Sequence, residues 1–383
     1  MKQKDGYVIK TIASVPYLIP YGQNIADHKH GVQLNQTGVF LWNALQQEQT
    51  EDDLLNKLQQ HYHTAQEDMN EMKKDLEMFL NQLSGLGLID TGNTSVNNTP
   101  YKYLKIGGLY LELSGNPDAF SKELDAFEIP KCPHVDMKIE VLSSSPENTG
   151  NGTLLLRNKE LFICERETDY LFLFPSSRQI LEAHLEKDGS SASFYCLPPF
   201  TPPLVNDLFH AIRLVYLYRA QKSNLFALHS ASILYKGKAW LFSGPSGTGK
   251  STHTNLWKEQ FHTPVINGDL NLIKLAGNEA MVCGMPWCGT SGIADSKTYP
   301  LGGIILLKQG ETNYLEKLTP DKKTLYVMQR FISPAWTKEL LEQNLDIAER
   351  LAGLVYIGRL FCTKDMSAAH FMKEEIDKQI FLR

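Results

Sequence analysis

The sequence predicts an α/β fold assembled around one strand, one tight loop and one helix. Three observations carry that prediction. Lys238-Ala239-Trp240-Leu241-Phe242-Ser243 is a short apolar run of the kind that forms a buried strand. It leads into Gly244-Pro245-Ser246-Gly247-Thr248-Gly249-Lys250-Ser251, spaced G-x-x-x-x-G-K-S, and then into 251–258, which can continue as a helix. A second apolar run, Pro264-Val265-Ile266-Asn267-Gly268-Asp269-Leu270-Asn271-Leu272-Ile273, places an acid nineteen residues past Lys250. Strands alternating with helices predict a sheet covered by helices.

The loop implies a definite chemistry. Glycines let backbone N–H groups turn toward phosphate oxygens, and the following helix presents its positive end to the same anion. The expected contacts to ATP are Gly244, Pro245, Ser246, Gly247, Thr248, Gly249, Lys250, Ser251 and Thr252. Lys250 would reach the β- and γ-phosphates and Ser251 would ligate Mg²⁺. Phosphoryl transfer also needs an acid, to hold metal or take the acceptor's proton. Asp269 is the candidate, with an ordinary turn aspartate in Asn-Gly-Asp as the alternative.

Whole-chain properties narrow the class. At 383 residues the chain has room for two or three domains, and 42% hydrophobic with 21% charged residues is a globular balance. A net charge of −5 and a pI of 6.1 leave no basic footprint for nucleic acid. No apolar run approaches a membrane span, and the N-terminus lacks the apolar centre of a signal peptide, so a cytoplasmic location is expected. The six cysteines are scattered, which argues against a disulfide framework. Cys283 and Cys288 are close, but no second ligand pair stands at metal spacing. Self-association into a homo-oligomer is left open.

From the N-terminus, 7–12, 16–22 and 31–34 read as short strands, with prolines that suit an edge or a strand end. A helix follows Asn35-Gln36-Thr37-Gly38, and a second starts at Thr50, a good cap with acids in the first turn. A third carries Met69, Met72, Leu76, Phe79, Leu80 and Leu83 on one stripe and stops at Gly85 and Gly87. Residues 1–90 thus form one unit. Residues 91–100 are a polar, turn-rich linker that includes the sequon Asn93-Thr94-Ser95, without meaning in the cytoplasm. Residues 101–202 read as a β-rich accessory domain with an antiparallel sheet: 103–113, 137–142, 161–166, 169–175 and 192–197 are strands. A long helix over about 204–220 opens the last domain, 203–383. That domain ends with helices near 320–330 and 336–352, a strand over 354–360 and a helix over 367–379. Arg330, Arg350 and Arg359 are candidate phosphate contacts, with surface or capping roles favoured.

Two resemblances sharpen these expectations. Leu34-Asn35-Gln36-Thr37-Gly38, the helix led by Thr50, and Phe79-Leu80-Asn81-Gln82-Leu83 with Gly87-Leu88-Ile89 resemble the PqqD-like peptide-recognition domain of ribosomal-peptide biosynthesis. The resemblance implies a winged helix–turn–helix that captures a leader peptide as an added strand, in a groove near Val32, Gln33, Met72, Leu76 and Phe79. Most of that apolar stripe is expected in the core. DNA binding is disfavoured by the acidic second helix.

From about Leu225 to Leu307 the chain resembles the HPr kinase/phosphorylase fold, and more closely its relatives that phosphorylate lasso-type precursor peptides. The carrying residues are His229, fifteen residues ahead of Gly244, the loop itself, Asp269, Met285-Pro286-Trp287-Cys288-Gly289, and 292–297 followed by 301–307. The resemblance implies that His229, Lys250 and Asp269 are the catalytic set, although His229 can also be read as a core histidine. It departs from the HPr kinases at Gly268, where they carry an acid, and near Met281, where they carry a metal-binding Glu. Asp295 could supply the second acid or cap its own turn. The implied activity is an ATP- and Mg²⁺-dependent Ser/Thr kinase acting on a precursor peptide. The alternatives are a small-molecule phosphotransferase, of PEP-carboxykinase or amino-acid type, and a non-catalytic, nucleotide-gated peptide-binding chaperone.

Overall fold

The computed structural model describes residues 1–22, 31–62, 69–85, 88–90, 100–144, 146 and 152–381. Most of the expected linker, Gly87 and the sequon Asn93-Thr94-Ser95 lie outside the described residues. The architecture is mixed α/β, with two large sheets and a small N-terminal unit.

In the N-terminal unit, β1 (Lys2–Gln3) pairs with β5 (Ile89–Asp90), while β2 (Tyr7–Ile12), β3 (Val15–Pro20) and β4 (Val32–Gln33) form an antiparallel sheet. β3 lies in the middle, and its two prolines stand at its ends, outside the pairing Tyr17↔Gln33 and Leu18↔Val32 with β4. Three helices follow: α1 (Gln36–Ala44), α2 (Glu51–Tyr62) and α3 (Met69–Gly85). Their starts are set by side-chain caps. Gly38 N–H donates to Asn35 Oδ1 at 2.7 Å. Asp53 N–H donates to Thr50 Oγ1 at 3.1 Å, and Thr50 N–H returns a bond to Asp53 Oδ2 at 2.9 Å. Leu18, Leu34, Leu41, Trp42, Leu54, Leu58, Leu76, Leu80 and Leu83 close a separate core beneath them.

The middle sheet has nine strands, in the order β10-β11-β12-β13-β14-β9-β7-β6-β8. They are β6 (Lys102–Ile106), β7 (Leu109–Gly115), β8 (Glu128–Ile129), β9 (Met137–Leu142), β10 (Thr153–Arg157), β11 (Phe162–Glu165), β12 (Asp169–Leu173), β13 (Ile180–Glu186) and β14 (Ser191–Cys196). Two expectations change here. The run 103–113 is a hairpin, because Gly107 and Gly108 both take positive φ, +62° and +94°, and turn the chain. The sheet is not wholly antiparallel: β9 runs parallel to both β14 and β7.

The last sheet has eight strands: β15 (Leu225–Tyr235), β16 (Lys238–Ser243), β17 (Val265–Asn267), β18 (Leu270–Ala276), β19 (Glu279–Cys283), β20 (Thr298–Gln309), β21 (Tyr314–Glu316) and β22 (Tyr356–Cys362). The order β16-β15-β18-β19-β20, with β20 pairing back to β16, closes a circuit. Five helices complete this part: α4 (Pro202–Lys222), α5 (Lys250–Phe261), α6 (Pro320–Met328), α7 (Lys338–Leu354) and α8 (Met366–Phe381). Helices cover both faces of the sheet. Val327, Ile347 and Leu351 of α6 and α7 pack on Ile304 and Ile357, whereas Trp257 of α5 and Met372 of α8 pack on Phe242 and Ile305.

Helix α4 begins with Pro202 and Pro203 in its first turn, where a missing N–H is harmless. Its Leu208, Ile212, Val215 and Tyr216 share one hydrophobic core with the middle sheet (Phe172, Phe194), with Leu272 of the last one and with Trp287 in the loop after β19. Tyr216 donates its hydroxyl to the Ile106 carbonyl at 3.1 Å.

Candidate active site

The glycine-rich loop joins β16 to α5. Strand β16 is apolar because it lies inside the sheet, between β15 and β20. Gly247 and Gly249 take φ of +79° and +96°, and Gly249 is the left-handed N-cap of α5. A Cβ on Gly244 would stand 2.6 Å from Thr248 Oγ1, so the loop closes tightly on itself. Thr248 donates its hydroxyl to the Pro245 carbonyl at 2.7 Å, and Gln309 Nε2, at the end of β20, donates to the Gly247 carbonyl at 2.9 Å. Lys250 is buried and its Nζ donates to the Gly244 carbonyl at 3.3 Å. Burial lowers its pKa; the Asp269 charge opposes that shift and the Arg330 charge adds to it. Ser251 and Thr252 are exposed at the helix start.

Asp269 stands between β17 and β18, and His229 lies on β15 opposite Leu270. His229 Nε2 is 3.0 Å from Asp269 Oδ1. Both backbones are fixed: Ser230 N–H donates to the Asp269 carbonyl at 2.9 Å, and His229 N–H donates to the Arg330 carbonyl at 2.9 Å. The bond to His229 holds the Asp269 carboxyl below its ordinary range, helped by the charges of His229, Lys250 and Arg213 and opposed by burial.

Asn267 serves the turn. Its Oδ1 accepts the N–H groups of Asp269 and Leu270, both at 2.9 Å, and its Nδ2 donates to the Met285 carbonyl at 3.0 Å. This leaves the Asp269 carboxylate turned to His229 rather than to its own backbone. Asn271 and Ser232, both buried, lie below and are joined by a 2.6 Å hydrogen bond. The turn Gly289–Ser291 presses on the acid from the other side. A Cβ on Gly289 would stand 2.8 Å from Asp269 Cβ, and one on Gly268 would stand 2.2 Å from Ser291 Oγ.

Asp295 lies across β17: its N–H donates to the Ile266 carbonyl at 3.0 Å. Its Oδ1 accepts the Lys297 N–H at 2.9 Å and its Oδ2 accepts the Tyr299 hydroxyl at 2.6 Å, which are capping contacts. Cys283 and Cys288 are buried, and burial raises both thiol pKa values. Among the described residues no three His, Cys, Asp or Glu side chains converge as a metal cage.

Sequence reasoning passed over Arg213 and quoted Trp287 only as part of the Met285–Gly289 run, without a role. Trp287 Nε1 donates to the Phe209 carbonyl of α4 at 2.8 Å and its ring packs on Tyr216, centroids 5.3 Å apart. Arg213 belongs to the same helix. The available signal was a cation at helical spacing between Phe209 and Tyr216, in a helix that is otherwise apolar on that face.

In the N-terminal unit, Val32, Gln33, Leu34, Asn35, Phe79, Gln82 and Leu83 line a cavity of about 420 Å³ between β4 and α3. A second cavity of about 590 Å³ shares Asn35, Phe79 and Gln82 with it and continues past Met72 and Leu76. Leu76, Leu80 and Leu83 are core; Met72 and Phe79 are only partly buried. Among the described residues β4 pairs with β3 alone.

The comparisons bear on both regions. Residues 25–89 match the family model described as coenzyme PQQ synthesis protein D (PqqD), so the N-terminal unit carries a PqqD domain. Among solved structures, the chain is similar to the HPr(Ser) kinase/phosphatase from Coxiella burnetii, at 10% identity, over 39% of this chain and 98% of that one, with a TM-score of 0.22. No curated protein matches the chain. Among the described residues no helix is long and apolar enough to cross a membrane.

Proposed function

We propose that this chain is an ATP-dependent kinase that phosphorylates a Ser or Thr hydroxyl of a ribosomally made precursor peptide captured by its N-terminal unit. The observation that carries the reading is the His229–Asp269 pair in electrostatic reach of Lys250, in one chain with a PqqD domain. In this reading the last sheet and its helices are a P-loop core of HPr-kinase type. The N-terminal unit is a winged helix–turn–helix, and the protein works in the cytoplasm.

The residues present fit a magnesium nucleotide. Gly247 and Gly249 take the positive φ a phosphate cradle uses, and among the described residues the Lys250 ammonium hydrogen-bonds only a loop carbonyl. Ser251 and Asp269 would hold Mg²⁺ together with phosphate oxygens and water. Asp295 could join only by giving up a capping contact. Bound ATP supplies the phosphoryl group. Asp269, whose pKa lies below the ordinary carboxylate range, is ionised at neutral pH, orients the acceptor hydroxyl through Oδ2 and takes its proton as the new bond forms. His229 fixes the other carboxylate oxygen. Positioning and electrostatics supply most of the rate. The peptide adds to the open edge of β4 and sets side chains into the cavity beside Phe79.

The test is mass spectrometry of the precursor peptide encoded beside this gene, incubated with the full chain and Mg·ATP. A gain of one phosphate, lost with Asp269→Asn and weakened through a raised KM with Phe79→Ala, is the expected result. Gly268, where the HPr kinases carry an acid, favours a second reading: a nucleotide-gated peptide binder without transfer. Peptide binding that responds to ATP with no phosphate gained would establish that reading and end the first.

A further inference from the structure

Helix α4 brings a cation to the acid side of the site. Phe209, Arg213 and Tyr216 are spaced by four and three residues, which puts them on one face of the helix. Trp287 fastens that face to the turn bearing Asp269: it bonds the Phe209 carbonyl at 2.8 Å, and its own carbonyl accepts from Asn267 Nδ2 at 3.4 Å. Arg213 therefore starts from the face of α4 that Trp287 ties to the Asn267–Asp269 turn. Its charge and that of Asp269 act on each other, yet Asp269 keeps its hydrogen bond for His229. Among the described residues Arg213 makes no ion pair and no side-chain hydrogen bond, and it is half-buried.

A guanidinium that interacts with a carboxylate through charge, but is not bonded to it, keeps its donors for an anion. Planar guanidinium donors match phosphoryl oxygens two at a time. The site otherwise has an imbalance. Lys250 and the loop amides serve the donor side, while on the acceptor side Asp269 repels the group it should receive. Burial acts against the charge on Arg213, and a bound anion would offset that cost.

We propose that Arg213 is a catalytic residue that binds the phosphoryl group as it passes toward the acceptor, offsetting the charge of Asp269. This rests on the kinase reading above. Atoms balance simply: the γ-phosphorus–oxygen bond to ADP breaks as the bond to the acceptor oxygen forms. The acceptor's proton passes to Asp269, and Arg213 neither gains nor loses a proton.

The experiment uses the full chain and ADP with aluminium fluoride, a planar mimic of the phosphoryl group in flight, so it does not need the peptide. Titration calorimetry compares ADP alone with ADP plus fluoroaluminate for the native chain, Arg213→Met, Arg213→Lys and Arg178→Met. Arg178→Met, in the exposed turn between β12 and β13, removes the same charge elsewhere. Fluoroaluminate should tighten ADP binding to the native chain and to Arg178→Met. In Arg213→Met that gain should fall by about tenfold or more, with the affinity for ADP alone held within about twofold. Arg213→Lys should be intermediate and, with its stem retained, serves should the Met variant not fold. An undiminished gain in Arg213→Met and Arg213→Lys overturns the assignment and leaves the kinase reading standing. Failure of the native chain to bind ADP or ATP overturns both.

Discussion

Gly268→Ala tests how the acid is seated. Gly268 has no positive φ, so alanine is acceptable to the backbone and only space is at issue. The added Cβ would lie 2.2 Å from Ser291 Oγ and 2.4 Å from Ser291 Cβ, with the Cys288 carbonyl at 3.2 Å. Rotating Ser291 moves its hydroxyl but not its Cβ, so the Gly289–Ser291 turn must retreat by about 1 Å to reach an ordinary contact. Overpacking of this kind costs about 1–3 kcal/mol. For a cooperative unit of 150–250 residues that is a fall in Tm of about 2–12 °C. The retreat also withdraws the wall that Gly289 makes against Asp269. Differential scanning fluorimetry on Gly268→Ala, Gly268→Ala/Ser291→Ala and Gly268→Ala/Ser291→Gly is the assay. Ser291→Ala keeps the offending Cβ and should not rescue. Ser291→Gly removes it and should restore most of the loss, short of the Cys288 contact and the bonds Ser291 makes to the Cys288 carbonyl and the Ile293 N–H. Equal stability of Gly268→Ala and the native chain would refute the steric account of why no acid stands at 268.

Other outcomes follow from the same geometry. The His229 bond holds the Asp269 pKa down, so the acid limb of the rate profile should lie below the usual carboxylate range. His229→Gln should move that limb to higher pH in steady-state kinetics; an unmoved limb would detach the pair from the chemistry. By linkage, the stability Asp269 contributes is present above its unfolded pKa and lost as pH falls through the lower folded one. Asn267→Ala strands the Asp269 and Leu270 N–H groups and the Met285 carbonyl in a buried turn. Its cost should be about 2–4 kcal/mol in urea denaturation.

What local sequence determines was readable. The loop between a buried strand and a helix, the Thr50 cap and the Leu76–Leu83 stripe all depend on residues within one or two turns of each other. Long-range pairing was not. Nothing near Met137–Leu142 signals that it runs parallel to both neighbours, because those partners come from 109–115 and 191–196. The Gly107-Gly108 turn was hidden inside an alternating pattern, since both arms of the hairpin share one register of apolar residues. Arg213 was missed for a related reason. The role proposed for it depends on Trp287, far along the chain, which ties its face of α4 to the Asn267 turn.

The shared core of α4, the middle sheet and Trp287 governs how this protein can be cut and recombined. Residues 1–90 bury their own leucines in a separate core, which makes the polar stretch before Tyr101 the place to exchange that unit. A cut at Pro202 would lay bare Leu208, Ile212, Val215 and Tyr216 and strip the middle sheet of its cover. On the kinase reading proposed above, an engineer seeking new substrates would keep 101–383 whole and exchange the unit in front of it.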